Sequence, residues 1–204
     1  MPASGLLKKP ASYEDLLRVP SHLVAEILNG ELYATPRPAL RHARAATVLA
    51  AGIFNPFDRG QGGPGGWLFL YEPELHLQAD IVVPDLAGWR TSRLPTIPDA
   101  AYLTIAPDWL CEVLSPSTER IDRATKLAIY ARGGVSHVWL INPINETLEV
   151  LALANGRWTL LATHVGAVTV RAEPFEAIEI ELSTLWTTGS PSDSGSAPSS
   201  EPQA

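Results

Sequence analysis

Two carboxylates and one lysine in this 204-residue chain have the types and surroundings that could hold a hard cation against a phosphate. Asp85 closes the β-branched run IVVPD, Glu112 interrupts the otherwise apolar stretch WLCEVLS, and Lys126 stands in the middle of the segment that follows. Pro84 cannot donate to a central ladder, so a strand through Ile81–Val83 frays there and presents Asp85 at the rim of a sheet. Period-two alternation puts Leu110, Glu112 and Leu114 on one face, and Trp109, Cys111 and Val113 on the other. A lone carboxylate on such a face is costly, so Glu112 needs a cation, a donor or a raised pKa. Two carboxylates on neighbouring strand ends suit Mg²⁺ (or Mn²⁺), which completes its shell with waters or phosphate oxygens. Such an ion neutralises charge on the phosphate and activates a water, which Lys126 would orient while stabilising the transition state. Each residue also has a plainer reading. Glu112 pairs with an arginine, Asp85 caps a turn after Pro84, and Lys126 pairs with Asp122 four residues earlier on a helix.

The elements that must position these groups follow from local signals. Ser12 with Asp15 makes a capping box for a short helix. The segment from His22 to Leu28 fits either helix or strand, but Asn29-Gly30 separates VAEIL from ELYAT as a hairpin turn. An Ala- and Arg-rich helix spans Leu40 to Phe54, with Pro56 as its stop, and GQGGPGG (60–66) reads as a flexible loop. Strands are predicted over 67–71, 74–77, 80–83 and 109–114. Pro116-Ser117-Thr118 opens a helix that runs to about Arg132 and stops at Gly133-Gly134. On it, Lys126 shares a stripe with Arg123 and Tyr130, while Ala124, Leu127, Ala128 and Ala131 form the apolar side. Residues 135–141 make an apolar strand buried on both faces, and Asn155-Gly156 turns a second hairpin. The order implies an α/β fold, a mixed β-sheet core flanked by helices with additional β-hairpins.

Composition narrows the classes. Hydrophobic residues at 46% can build a core, and no apolar run approaches the ~18 residues of a membrane span. Fifteen basic against 22 acidic residues give a net charge of −7, which excludes a basic nucleic-acid coat. The single Cys111 permits no internal disulfide, and MPASGLLKKP has no apolar signal-peptide core, so a cytoplasmic protein is expected. Residues 1–12 are expected to be flexible, 13–186 to form one domain, and the Ser/Pro/Gly-rich 187–204 a disordered tail. Cys111 reads as a buried inert thiol, His137 as a core histidine and Tyr130 as a packing residue. No phosphate loop, nucleophile elbow or H-E-x-x-H motif occurs.

The blocks IVVPDLAGWR, APDWLCEVLSPST and YARGGVSHVWLINP resemble the Uma-type putative restriction endonuclease family of the PD-(D/E)XK nuclease superfamily, from SYEDLLRVP to EPFEAIEIELSTLW. The resemblance implies a restriction-endonuclease-like fold and Mg²⁺-dependent endonuclease activity on nucleic acid, above all DNA. It places the family's aspartate on Asp85 and its second carboxylate on Glu112. Leu114 stands where the superfamily has lysine, and the resemblance implies that Lys126 takes that role. Glu26 matches an early family glutamate, with Glu31 across the turn an equal candidate, and His42 matches a histidine near the start of the first core helix. Arg41, His42 and Arg123 are candidate substrate contacts, and a homodimer would bring two sites to two strands. A non-catalytic nucleic-acid or protein-binding module on the same fold, and a hydrolase of another phosphate ester, remain as alternatives.

Overall fold

The computed structural model describes residues 9–186. The expected tail over 187–204 and the first eight residues of the expected flexible N-terminus lie outside them. Ser12 caps α1 (Tyr13–Leu17): its hydroxyl accepts the Asp15 N–H at 3.3 Å, and its own N–H donates to the Asp15 carboxylate at 2.9 Å. The ambiguous segment is a strand. β1 (Leu23–Leu28) and β2 (Glu31–Pro36) pair about Asn29 and Gly30, whose φ angles of 53° and 80° make the left-handed pair of a type I′ turn.

The predicted helix α2 (Leu40–Ile53) does not stop at Pro56. The chain continues as a π-helical turn, Phe54–Asp58, in which the Arg59 N–H bonds the Phe54 carbonyl at 3.2 Å. Proline lacks the N–H that an α-ladder needs, and the wider turn accommodates the missing donor. The glycine-rich stretch then folds back on Pro56, so it is packed rather than a free loop. Gly65 N–H bonds the Pro56 carbonyl at 2.9 Å, and a Cβ on Gly63 would stand 2.4 Å from the Pro56 Cβ.

β3 (Trp67–Tyr71), β4 (Leu75–Leu77), β5 (Asp80–Val82), β6 (Leu86–Arg90) and β7 (Trp109–Val113) follow. A broken helix comes next: α3 (Glu119–Ile121), a π-helical turn (Asp122–Lys126) and α4 (Leu127–Gly133), closed by Gly134 at φ 80°. β8 (His137–Asn142), β9 (Thr147–Ala154), β10 (Arg157–Val165), β11 (Thr169–Val170), β12 (Ile180–Glu181) and α5 (Ser183–Trp186) complete the described chain. A six-stranded sheet has the order β10-β9-β8-β7-β6-β3, and a four-stranded sheet the order β2-β1-β5-β4. β7 and β8 are parallel, joined by the α3–α4 crossover, and the other named pairs are antiparallel. The fold is therefore α/β with a mixed sheet and flanking helices.

The segment IVVPDLAGWR changes sheet in its middle. β5 belongs to the smaller sheet and β6 to the larger, with Val83-Pro84-Asp85 between them. β6 was not anticipated, because its Ala87 and Gly88 carry little strand signal; its partners β3 and β7 impose it. The inner strands of the larger sheet, β6 to β8, are buried on both faces. Trp109, Cys111, Val113 and Trp139 pack with Leu49 of α2 and with Leu185 of α5. Leu110, Leu114 and Val138 pack with Leu28, Val82, Ile129 and Tyr130. No helix among the described residues is long and apolar enough to cross a membrane.

The crossover helix buries the side that carries Lys126 and Tyr130 rather than its alanine side. Asp122, Lys126, Ile129 and Tyr130 are buried, whereas Ala124 and Ala128 face out. Alanines bury little area, so the larger gain comes from Ile129 and Tyr130. Partners across the sheets satisfy the polar groups on that face. Where α4 ends, Asp80 accepts the Asn29 N–H at 2.6 Å and the Arg132 guanidinium at 2.8 Å, which latches the first hairpin and β5 to the helix. Asp80→Ala is expected to lower stability by about 2 kcal/mol, the worth of a charged hydrogen-bonded pair, with an unchanged urea m-value. A midpoint equal to wild type would show that the latch contributes nothing.

Candidate active site

β7 lies inside the larger sheet, and its alternation turns Glu112 toward the crossover helix at 3% exposure. Asp85 occupies the crossing between the sheets, where the backbone has left the ladder. Its Oδ2 replaces the missing strand acceptor by taking the Val113 N–H at 2.7 Å. Glu26 on β1 does the same for the other side of the crossing, with Oε1 accepting the Val83 N–H at 2.8 Å. Lys126 closes the π-helical turn, with Nζ 2.8 Å from Glu112 Oε1, 3.0 Å from Glu26 Oε1 and 3.8 Å from Asp122 Oδ1. One turn on, the Tyr130 hydroxyl donates to the same Glu112 Oε1. From the first turn of α2, His42 Nε2 approaches Asp85 Oδ2 at 3.2 Å.

A cavity of about 300 Å³ brings Glu26, His42, Asp85, Glu112, Asp122 and Lys126 together. Arg41 is exposed on α2 and is not among its lining residues. Nor is Arg123, which is held by Glu149 through two bonds of 2.9 and 2.6 Å and by Glu119 at 2.9 Å. Arg37 reaches the rim but pairs with Glu72 at 3.3 Å. Lys126 pairs with Asp122, and it lies closer still to the two glutamates. Sequence reasoning missed Asp122 as a cavity residue and Tyr130 as a partner of Glu112. The available signal was their i−4 and i+4 spacing from Lys126.

Acid outnumbers base here, and the proton affinities show it. Burial pushes the Glu112 carboxyl well up; Lys126 opposes this, while Asp122, Asp85 and Glu26 add to it. Burial likewise raises Asp122 against the pull of Lys126. Burial pulls the Lys126 ammonium down, but Glu112 and Glu26, with Tyr130 and Asp122, outweigh it and hold its pKa well above the usual value. Tyr130 is raised by burial and then by Glu112, so its hydroxyl keeps its proton and donates. The resting cavity thus contains a charged lysine and a carboxyl cluster that favours holding a proton. Burial also raises the Cys111 thiol well above its usual range, as an inert core thiol requires. Among the described residues, no three His, Cys, Asp or Glu side chains gather into a ready metal cage.

Residues 10–184 match the family described as "Uma2: Putative restriction endonuclease". Among solved structures, the chain resembles a crystal structure described as a putative nuclease belonging to DUF820 from Anabaena variabilis. The TM-score is 0.67 at 21% identity, over 87% of this chain and 98% of that one. At that identity the likeness concerns the fold. No curated protein matches the chain.

The raised Glu112 carboxyl makes a signed prediction. Between its unfolded value, about 4.3, and its higher folded value, the native state binds more protons than the unfolded one. The stability this group contributes is fully present below the unfolded value and is lost as pH rises through the folded one. In metal-free buffer, the urea midpoint of Glu112→Gln is therefore expected to gain on wild type as pH rises from 5 to 8. A difference that stays flat across that range would contradict the shift.

Proposed function

The chain belongs to the Uma2 family, described as putative restriction endonucleases, and on that premise we propose that it hydrolyses phosphodiester bonds of nucleic acid, DNA foremost, in a divalent-cation-dependent reaction. The observation that carries the reading is Lys126 Nζ, 2.8 Å from Glu112 and 3.0 Å from Glu26 in the cavity shared with Asp85. Leu114 vacates the superfamily's lysine position on the strand, and the helix supplies the ammonium to the same carboxylate.

The donor set fits Mg²⁺ or Mn²⁺. Asp85 and Glu112 offer hard oxygens, two carboxylates suffice for an ion that keeps several waters, and neither a thiol nor a cage is needed. The hydrogen bonds and ion pairs described above engage Oδ2 of Asp85 and Oε1 of Glu112, which leaves Oδ1 and Oε2 as the oxygens for an ion. When bound, the cation would supply Lewis-acid neutralisation of the charge on the phosphodiester. Lys126 keeps its proton, so its Nζ orients the attacking water and offsets negative charge rather than acting as a base. Glu26 holds that ammonium and the Val83 N–H through one oxygen, which makes it an accessory that fixes the lysine. A non-catalytic module would be favoured by an arginine neutralising the carboxylates. The cation between Glu26 and Glu112 is Lys126 instead, and Arg37 is turned to Glu72.

Incubating the protein with supercoiled plasmid, single-stranded DNA and RNA in Mg²⁺ or Mn²⁺ tests the proposal. Cleavage is expected, abolished by chelator and reduced about 10²-fold or more by Glu112→Gln or Asp85→Asn. No cleavage of any substrate by wild type, or equal cleavage by the variants, would sink it. Analytical ultracentrifugation checks the homodimer that would present two sites to a duplex.

A further inference from the structure

This inference rests on the cation site just proposed and concerns a residue behind it. His42 is 9% exposed, held on the first turn of α2 beside the buried Ala45 and Ala46. Its Nε2 is committed to Asp85 Oδ2 at 3.2 Å, and its Nδ1 is buried without a hydrogen-bond partner. No ring nitrogen is left for a phosphate, although the ring borders the cavity. The tautomer follows from the partners rather than from a visible hydrogen. A proton on Nε2 satisfies Asp85 and leaves only a lone pair unpaired at Nδ1; the other tautomer strands a buried N–H and faces two acceptors at each other.

Asp85 Oδ2 thus faces two donor groups: the Val113 N–H of β7 bonds it at 2.7 Å, and His42 Nε2 stands 3.2 Å away on α2. One donor defines a hinge about which a carboxylate rotates; two donors on one oxygen fix its plane and single out the other oxygen. We infer that His42 is a positioning residue for the cation site, which pins Oδ2 of Asp85 so that Oδ1 serves as the ion's ligand. It acts through Asp85 and does not contact substrate. Groups that orient a metal-binding side chain in this way typically change metal affinity 10–100-fold when removed.

The test titrates Mn²⁺ alone into metal-free full-length protein, for wild type, His42→Phe and His42→Gln, with thermal midpoints measured beside it. Phenylalanine keeps the volume without the donor; the glutamine amide reaches close to the Nε2 position. His42→Phe should weaken Mn²⁺ binding at least tenfold, and His42→Gln should recover it to within about fivefold of wild type. At saturating Mn²⁺, the KM for plasmid should stay within twofold of wild type in both. If His42→Phe does not fold, His42→Gln against His42→Asn decides, because the shorter amide cannot reach Asp85 and should behave as a loss. Equal Mn²⁺ affinity in wild type and the donor-less variant overturns the inference while the cation site stands, as does a raised KM at unchanged Mn²⁺ affinity. No Mn²⁺ binding by wild type takes down the cation site and this inference together.

Discussion

Lys126 is 3% exposed, and its ammonium has carboxylates from β1, β7 and its own helix within 3.8 Å. Removing such charges from water costs several kcal/mol per ion, and their mutual attraction restores it only when geometry and hydrogen bonding are good. That condition constrains three elements at once. The crossover helix must present its polar stripe inward, β7 must present Glu112 to it, and the smaller sheet must bring Glu26 across. Well-packed apolar residues of similar volume often do as well or better for stability alone. An acid-rich buried cluster of this kind is therefore a cost in the resting protein, and costs of that kind concentrate where chemistry is done.

The crossing at Val83-Pro84-Asp85 shows how the fold and the cluster depend on one another. A strand that leaves one sheet for another strands backbone donors, and an unpaired buried N–H is expensive. Here the Val83 N–H goes to Glu26 and the Val113 N–H to Asp85. The side chains that complete the interrupted ladders are the same carboxylates that line the cavity. Polar satisfaction of the sheet and orientation of the site are one set of bonds.

What the sequence disclosed was local. Asn29-Gly30 and Asn155-Gly156 specified their turns because both positions need positive φ, and the box of Ser12 and Asp15 closes within three residues. The alternation of WLCEVLS placed Glu112 on the correct face because a strand's period is short and rigid. The hidden features were long-range. The alanine side of the crossover helix gave no sign that Ile129 and Tyr130 would be buried instead, or that Glu26, a hundred positions away, and Glu112 would receive Lys126. Arg123 looked available to a substrate until Glu149, 26 residues on, took both ends of its guanidinium. His42 read as either a structural or a phosphate-contacting residue, because nothing near it in the chain announces Asp85. Pro56 misled for a different reason. It forbids an α-helical bond, but not a π-helical turn.

The net charge of −7 takes its meaning from where the cations are spent. Arg123 faces Glu149 and Glu119, Arg132 faces Asp80, Arg37 faces Glu72, and Lys126 is enclosed by carboxylates. Arg41, Arg44 and Arg120 remain exposed on the two helices that border the cavity, but none of them lines it, and its floor is acidic. A polyanion gains most of its protein affinity by releasing counterions to clustered Lys and Arg, so three separate arginines provide weak attraction. The floor opposes it until its charge is neutralised. On the proposed reading, a divalent ion between Asp85 and Glu112 does more than assist the chemistry: it converts the centre of the cavity from repelling phosphate to attracting it. Substrate affinity then follows occupancy of the ion site more than it follows any basic surface.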